Sequence, residues 1–515
     1  MFDVKYSILK GRELGANISL LDVLYLKPMR DPATGKYSDD YIYIVYKDLY
    51  DNTSHFELIP NPTYTYYIAK EDAPPITYNK LYIDANDVRP VTCKYRDLKA
   101  TIAKETGNAE WFYDNLKSGN YKENDRLFDL PNIFAADIQI EDYYRALFAS
   151  LYKNDVYTPS KLFFDIEVNI ENMPPDEDFP ESGKYPIDAI TLMDDNHKKV
   201  YTLLLEDDTN PQIQEFKNTP GLIDRLKAFV IDHVGGPRKA VKLGLDNLDF
   251  KIIFFKDELE LLKAFWALIH AIKPNIATAW NLPFDLTQIG DRILNLGKNP
   301  AQIMSHPDFP LKMYYYYIDR RAKRAEQRGD FVKIPGYTTF IDQLVTFASR
   351  RKGQRLVKNN KLDTIGEIIA GVKKVDYSAI THDLSKLARI NYILYVFYNI
   401  CDVIVQAAIE HRAGDLDFIV AKSLTTNTRY SKVHRQTVYL PNRGRSDFAN
   451  DNYVMGDNIN RHNYNTKEEY PDEDDEDEEG FTGAIVLDPL NVSDKPKLKL
   501  NGKPIMVCDN CVDYD

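Results

Sequence analysis

The sequence predicts an α/β protein with a β-rich first domain, and two observations carry that prediction. Residues 1 to about 130 alternate apolar and polar positions in short runs, as in "DDYIYIVYKDLY" and "TYTYYIAK", separated by turn signals such as "NPT" and "DAPP". That is the period-2 pattern of half-buried strands. Further along, strand runs come first and helical spacing then alternates with strands, which is the order of an α/β unit. At 515 residues the chain is too long for one ordinary core, so several domains are expected.

Each element has its own signal. "IEDYYRALFASLY" at 140 to 152 has helical spacing and links the first domain to the next unit. "KLFFDIEV" reads as a strand, and "YPIDAITLMDDNHKKVYTLLLE" as a hairpin with polar residues between two strand runs. "DFKIIFFK" is a further strand, and "DELELLKAFWALIHAIK" is an amphipathic helix begun by acids. "PNIATAWN" is a strand that breaks into a loop at "NLPFD". "GYTTFIDQL" is strand-like, "KLDTIGEII" opens a helix, and "DLSKLARINYILYVFYNICDVIVQAAIEHR" is one long helix ended by "RAGDLD". No internal repeat is present.

Composition narrows the function classes. No uninterrupted apolar span reaches membrane length and the N-terminus carries no signal pattern, so no membrane partner is expected. Four cysteines imply no disulfide framework and a reducing compartment. Cys508 and Cys511 form one C-x-x-C, and zinc binding by it is disfavoured because no second pair accompanies it. Net charge is −13, but eight of those negative charges are the consecutive acids at 472 to 479, which leaves −5 for the remainder. That run reads as a solvated linker. Basic residues cluster at 319 to 328 and, interleaved with aromatics, at 428 to 445, which suits nucleic acid.

The chemistry starts from Asp165 and Glu167. Two apart on a strand, they share a face, and two like charges on a half-buried surface repel and lose hydration. The bland reading of such a pair is a strand end facing water. Two further patterns argue against it: Asn281-x-x-Phe284-Asp285 after a strand, and Tyr398-x-x-x-Asp402 on the long helix, where four residues make one face. Three elements of one α/β unit could bring four carboxylates to one point. All-oxygen ligands suit Mg²⁺ or Mn²⁺ rather than zinc. Two such ions, roughly 3.5–4 Å apart, can activate a water and stabilise the leaving oxygen of a phosphodiester. The cations would offset the repulsion between Asp165 and Glu167.

Taken in order, the three patterns resemble the exonuclease motifs of family B DNA polymerases, particularly those of tailed bacteriophages. "FFDIEV" with "YPIDAITLMDD" is similar to the first motif and its hairpin, "TAWNLPFDLTQI" to the second, and "YNICDVIVQ" to the third. "FVKIPGYTTFIDQL" and "NKLDTIGEII" resemble the stretch before the third motif, and "GFTGAIVLDP" the entry into the polymerase palm. The resemblance implies an RNase H-like (DEDD) 3′–5′ proofreading exonuclease with two Mg²⁺ or Mn²⁺ ions. It implies a division into a β-rich N-terminal domain (1–135), the exonuclease domain (136–412), a connecting segment with the acidic linker (413–479) and the start of a palm (480–515). It makes Asp165, Glu167, Asp285 and Asp402 metal ligands and Tyr398 the residue that orients the attacking water. Asn281 and Phe284 would lie against DNA, with Phe284 near the terminal base. Arg320, Arg321, Lys323, Arg324 and Arg328 fall where the family carries a hairpin that helps part primer from template. The second motif departs from the family's usual spacing, with two residues rather than three between Asn281 and Phe284.

At "PIMVCDNCVDYD" the chain reaches the strand that in this family carries a palm aspartate, and Asp515 stands at that position. No S-L-Y-P and no second palm aspartate follow. Polymerisation is therefore expected only with a C-terminal polymerase chain, as in a split gene or a truncated product, with Asp515 binding a cation jointly with that partner. DNA, as a single-stranded 3′ end or primer-template, is the expected substrate, and the cytoplasm of an infected bacterium the expected location. The alternative reading is a catalytically impaired subunit that binds DNA and assembles a split polymerase. A free-standing RNA nuclease is disfavoured by the palm-like residues.

Overall fold

The computed structural model describes residues 7–28, 37–74, 82–174, 176–177, 179–318, 325, 328, 331–351, 359–381 and 384–456, together with 499–500 and 503–504. Arg320, Arg321, Lys323, Arg324, Asp515, the cysteine pair, the acidic run and the palm-like "GFTGAIVLDP" lie outside the described residues. One compact unit runs from Met1 to Asn458 and a second from Ile459 to Asp515. In the second, Lys499–Leu500 pairs antiparallel with Lys503–Pro504.

The first portion is built on strands, as its alternation predicts. Ile18–Leu26, Tyr41–Asp48 and Ser54–Pro60 form an antiparallel sheet, and Thr63–Ala69 joins Val88–Lys94 and Ile133–Phe134 in another. Helices Leu98–Glu105 and Ala109–Ser118 come between Val88–Lys94 and Ile133–Phe134 in chain order, and the expected helix runs over Ile140–Leu151. The chain returns here late. Tyr453–Met455 pairs with Tyr82–Asp84, and the Tyr430 hydroxyl donates to the Leu21 carbonyl at 2.6 Å.

The central sheet has six strands: β1 (Lys161–Val168), β2 (Ile187–Asp194), β3 (Lys199–Leu205), β4 (Asp249–Phe255), β5 (Ile276–Ala279) and β6 (Thr339–Asp342). Their spatial order is β4-β3-β2-β1-β5-β6. The hairpins make β1/β2 and β2/β3 antiparallel, whereas the crossovers make β3/β4, β1/β5 and β5/β6 parallel.

The two faces of β1 go to different cores. Leu162, Phe164 and Ile166 pack with helices α1 (Glu258–Ile272) and α2 (Leu282–Asn295), through Leu261, Phe265, Leu286 and Ile289. Phe163 joins the core built on helix α3 (Tyr392–Ala413). The result is a sheet covered on both faces, with Asp165 and Glu167 on the face that carries Phe163. Each wholly buried aliphatic or aromatic side chain in such a core contributes about 1.5–3 kcal/mol.

The expected long helix is two helices. Leu384–Ile390 ends before Asn391, whose side chain accepts from the Leu394 amide and caps α3. Gly414, at φ 60°, closes α3, and helix α4 (Asp415–Thr426) starts at once. Among the described helices α3 is the one long and apolar enough to cross a membrane, but most of it is buried inside the protein. Its apolarity follows from burial on nearly every side.

Close packing also fixes the segment ahead of α3. At Gly366 a Cβ would come within 2.5 Å of both the Val372 carbonyl and Val405 Cγ1 of α3. Only glycine lets this turn lie so close to the helix. The next turn then delivers Lys374 to α3, where its amide donates to Asp363 Oδ1 at 2.8 Å.

Candidate metal centre

β5 pairs with β1 only from Lys161 to Phe163. Beyond that point β5 ends and the chain turns into α2, so one side of β1 is left open at Asp165 and Glu167. Such a crevice, at the carboxyl end of a central strand, is where α/β sheets hold ligands. On the other side, Asp165 still faces Thr191 and Glu167 faces Ala189 of β2, with a register irregularity just after Glu167.

α3 crosses the same face, and Gln406 donates to the Phe164 carbonyl at 3.2 Å. One turn along, Asp402 meets the pair: carboxylate oxygens of Asp165, Glu167 and Asp402 all lie within 4.8 Å of one another. Tyr398 is one turn from Asp402, as their spacing predicts. Asn399, three residues before Asp402, donates to Asp165 Oδ2 at 3.3 Å and to Glu167 Oε1 at 3.4 Å.

The second motif sits differently from its sequence expectation. "NLPFD" is the start of a helix and not a loop. Asn281, at φ 73°, is the N-cap of α2, Pro283 follows in the first turn where its missing N–H costs nothing, and Asp285 lies in that first turn. Asp285 is buried beside the cluster, near enough for Asp165 and Glu167 to raise its pKa, but it is not among the three carboxylates in mutual contact. Phe284 is half-buried, and its ring meets Phe179 edge-on with centroids 5.4 Å apart. Phe179 is 66% exposed. Arg328 donates to Asn281 Oδ1 at 3.1 Å and approaches Asp342 Oδ2 at 3.9 Å, so it braces the second motif from outside.

Burial first, and then mutual repulsion, set the electrostatics. Burial and the charge of Asp402 hold the Asp165 pKa well above the ordinary carboxylate range, and burial with Asp165 and Asp402 does the same for Glu167. Asp402 is raised by burial, against the pull of Lys374 and Tyr398. Asp188, behind Glu167, is pushed to about 7, chiefly by burial, although Tyr395 donates to it.

Sequence reasoning missed Lys374. Its Nζ lies 2.5 Å from Asp402 Oδ2 and donates to the Tyr398 hydroxyl at 2.8 Å. Burial lowers its pKa, yet Asp402, Tyr398 and Asp165 together raise it above that of an ordinary lysine. Lys374 lies in a coil with no periodicity to mark it. Asn399 was missed too, although three residues before Asp402 is the same helix face.

The donor set fits a hard divalent cation. The three groups within mutual reach are all carboxylates, and Asp402 Oδ1 is buried with no hydrogen-bond partner. A second group, Asp48, Asp51 and His55, also lies within ligand distance, but Asp48 pairs with Arg12 at 2.6 Å and His55 contacts Thr53.

A mixed sheet with antiparallel hairpin strands, parallel crossovers and acidic residues at the end of its central strand defines the RNase H-like exonuclease fold. Residues 117–314 match the exonuclease domain of DNA polymerase family B, so the chain carries a family B polymerase exonuclease region. A DNA-directed DNA polymerase of Escherichia phage RB69 is 25% identical over 313 residues, which is 59% of this chain and 31% of that protein. The match thus covers about a third of the relative. Tyr398 and Asp402 lie beyond residue 314, and folding brings them to the matched motifs.

Proposed function

We propose that this chain is a two-metal 3′–5′ DNA exonuclease, the proofreading portion of a family B DNA polymerase. The observation that carries the proposal is the meeting of Asp165, Glu167 and Asp402 within 4.8 Å, with Tyr398 one turn from Asp402, inside a fold of this class. Asp165, Glu167 and Asp402 would hold the cations, with Asp285 completing the set. When bound, the cations supply an activated water and charge stabilisation at the leaving oxygen. The chain's own residues position the strand end and the water. Phe284 and Phe179 offer edges to the terminal base, and Tyr398, fixed by Lys374, orients the attacking oxygen. The water oxygen bonds to phosphorus, the bond from phosphorus to the 3′ oxygen breaks, and that oxygen takes up a proton as a nucleoside 5′-monophosphate leaves.

Incubating the purified chain with a 3′-labelled single strand and Mg²⁺ or Mn²⁺ tests this, and stepwise release of mononucleotides is expected. The second reading, a binding and assembly subunit with an impaired site, draws on Asp285 standing apart from the three-carboxylate cluster. A folded chain that binds the strand and releases nothing would favour it. Polymerisation is proposed to need a polymerase chain that completes the palm around residues 480–515. Primer extension by a co-expressed pair should then be lost with Asp515→Ala.

A further inference from the structure

A cavity of about 310 Å³ lies between the helix Gln343–Arg350, α4 and the segment 430–434, and it shares Arg328 with the brace on Asn281. Its size is that of a small-ligand pocket. Ile341, Val345 and Ile419 give its wall an apolar stretch beside Thr346 and Tyr430. Its rim is cationic, carrying Arg328, Arg350 and Lys422, whereas Asp342 is the one carboxylate among the described lining residues.

The rim cations are held in different ways. Arg350 pairs with Asp415 and lays its guanidinium 4.1 Å from the centroid of the exposed Phe418 ring. Lys422 stands 3.6 Å from the Tyr439 ring centroid and has no carboxylate partner among the described residues. Burial, and then the charge of Arg350, lower its pKa. Ser349 Oγ, also in the lining, is buried with no hydrogen-bond partner. An apolar slot, an aromatic ring carrying a guanidinium, an unsatisfied hydroxyl and a lysine without a counter-charge together suit a flat heteroaromatic ring joined to a phosphate.

We infer that this cavity is a second nucleotide site, which takes a 5′-phosphorylated nucleotide with its base against Val345 and Ile419 and its phosphate at Lys422 and Arg350. The ligand can come as a free mononucleotide or as one unit of a single strand, and the same residues would recognise both.

The test uses the full chain in chelating buffer, so that hydrolysis does not contribute. Binding of dAMP and of a four-residue 5′-phosphorylated oligothymidylate is followed by calorimetry, with inorganic phosphate as a control. Saturable binding of either nucleotide, weakened about tenfold or more in Lys422→Met, is the expected result, since one charge-assisted hydrogen bond is removed. Preference between the two probes identifies the source. A photoreactive azido-dAMP used on the unmodified chain should label peptides within 340–350 or 415–434. Absence of saturable binding by both nucleotides, unchanged affinity in a folded Lys422→Met chain, or labelling confined to other peptides would overturn the inference. These outcomes are independent of whether the carboxylate cluster degrades DNA.

Discussion

Replacing Asp165 and Glu167 together by Ala should alter the pH dependence of stability as well as abolish activity. At an effective dielectric near 20, two unit charges at the 4.8 Å limit of this cluster repel by about 3.5 kcal/mol. Lys374 relieves that repulsion chiefly at Asp402, and among the described residues no cation pairs directly with Asp165 or Glu167. Both pKa values are raised well above the ordinary carboxylate range, first by burial and then by their neighbours. The sign follows from linkage. A group whose pKa is higher folded than unfolded binds more protons when folded, so its contribution is greatest below the unfolded pKa and declines as pH rises toward the folded one. Each such group costs up to about 1.4 kcal/mol per pH unit inside that window. Because both residues are half-buried and the crevice is open to solvent, the expected net effect between pH 5 and pH 8 is about 2 kcal/mol. Denaturant unfolding in chelator at both pH values, on wild type and the double variant, measures it. Wild type should lose stability relative to the variant as pH rises, and millimolar Mg²⁺ should reverse the loss. Parallel pH profiles, or strand degradation by a folded double variant, would refute the reasoning.

Three further perturbations follow from the same geometry. Tyr398→Phe should lower the rate of nucleotide release without weakening single-strand binding, because the hydroxyl acts in the transition state; a changed melting temperature with an unchanged rate per folded molecule would make it a packing residue. Lys374→Met leaves Asp402 buried without its ammonium, and should cost about 1.5–3 kcal/mol in chelator, as for the loss of a charged hydrogen bond. Mg²⁺ should restore much of that, and equal melting shifts with and without metal would count against it. Neutralising Arg320, Arg321, Lys323, Arg324 and Arg328 should slow degradation of duplex ends more than of single strands and flatten the salt dependence of binding. Equal effects on both substrates would leave only nonspecific attraction.

What the sequence determined by itself was local and periodic. Alternation marked the strands of the first 130 residues, and a four-residue spacing placed Tyr398 and Asp402 on one helix face, because both periods are properties of the backbone. Asn399 lies on that same face but was picked out only by its contacts to Asp165 and Glu167. Boundaries were less legible where one residue outweighs a pattern: Asn391 splits an apolar run that reads as continuous, because its side chain caps a new helix. At "NLPFD", Pro283 and the left-handed Asn281 start a helix that loop-like composition concealed. Tertiary structure alone decided the rest. Lys374 reaches Asp402 because Gly366 lets its turn lie against α3, and Arg328 reaches Asn281 across forty-seven positions. Neither contact leaves a period in the sequence, because both arise where separate elements pack and the identity of a side chain's neighbour is set by the fold.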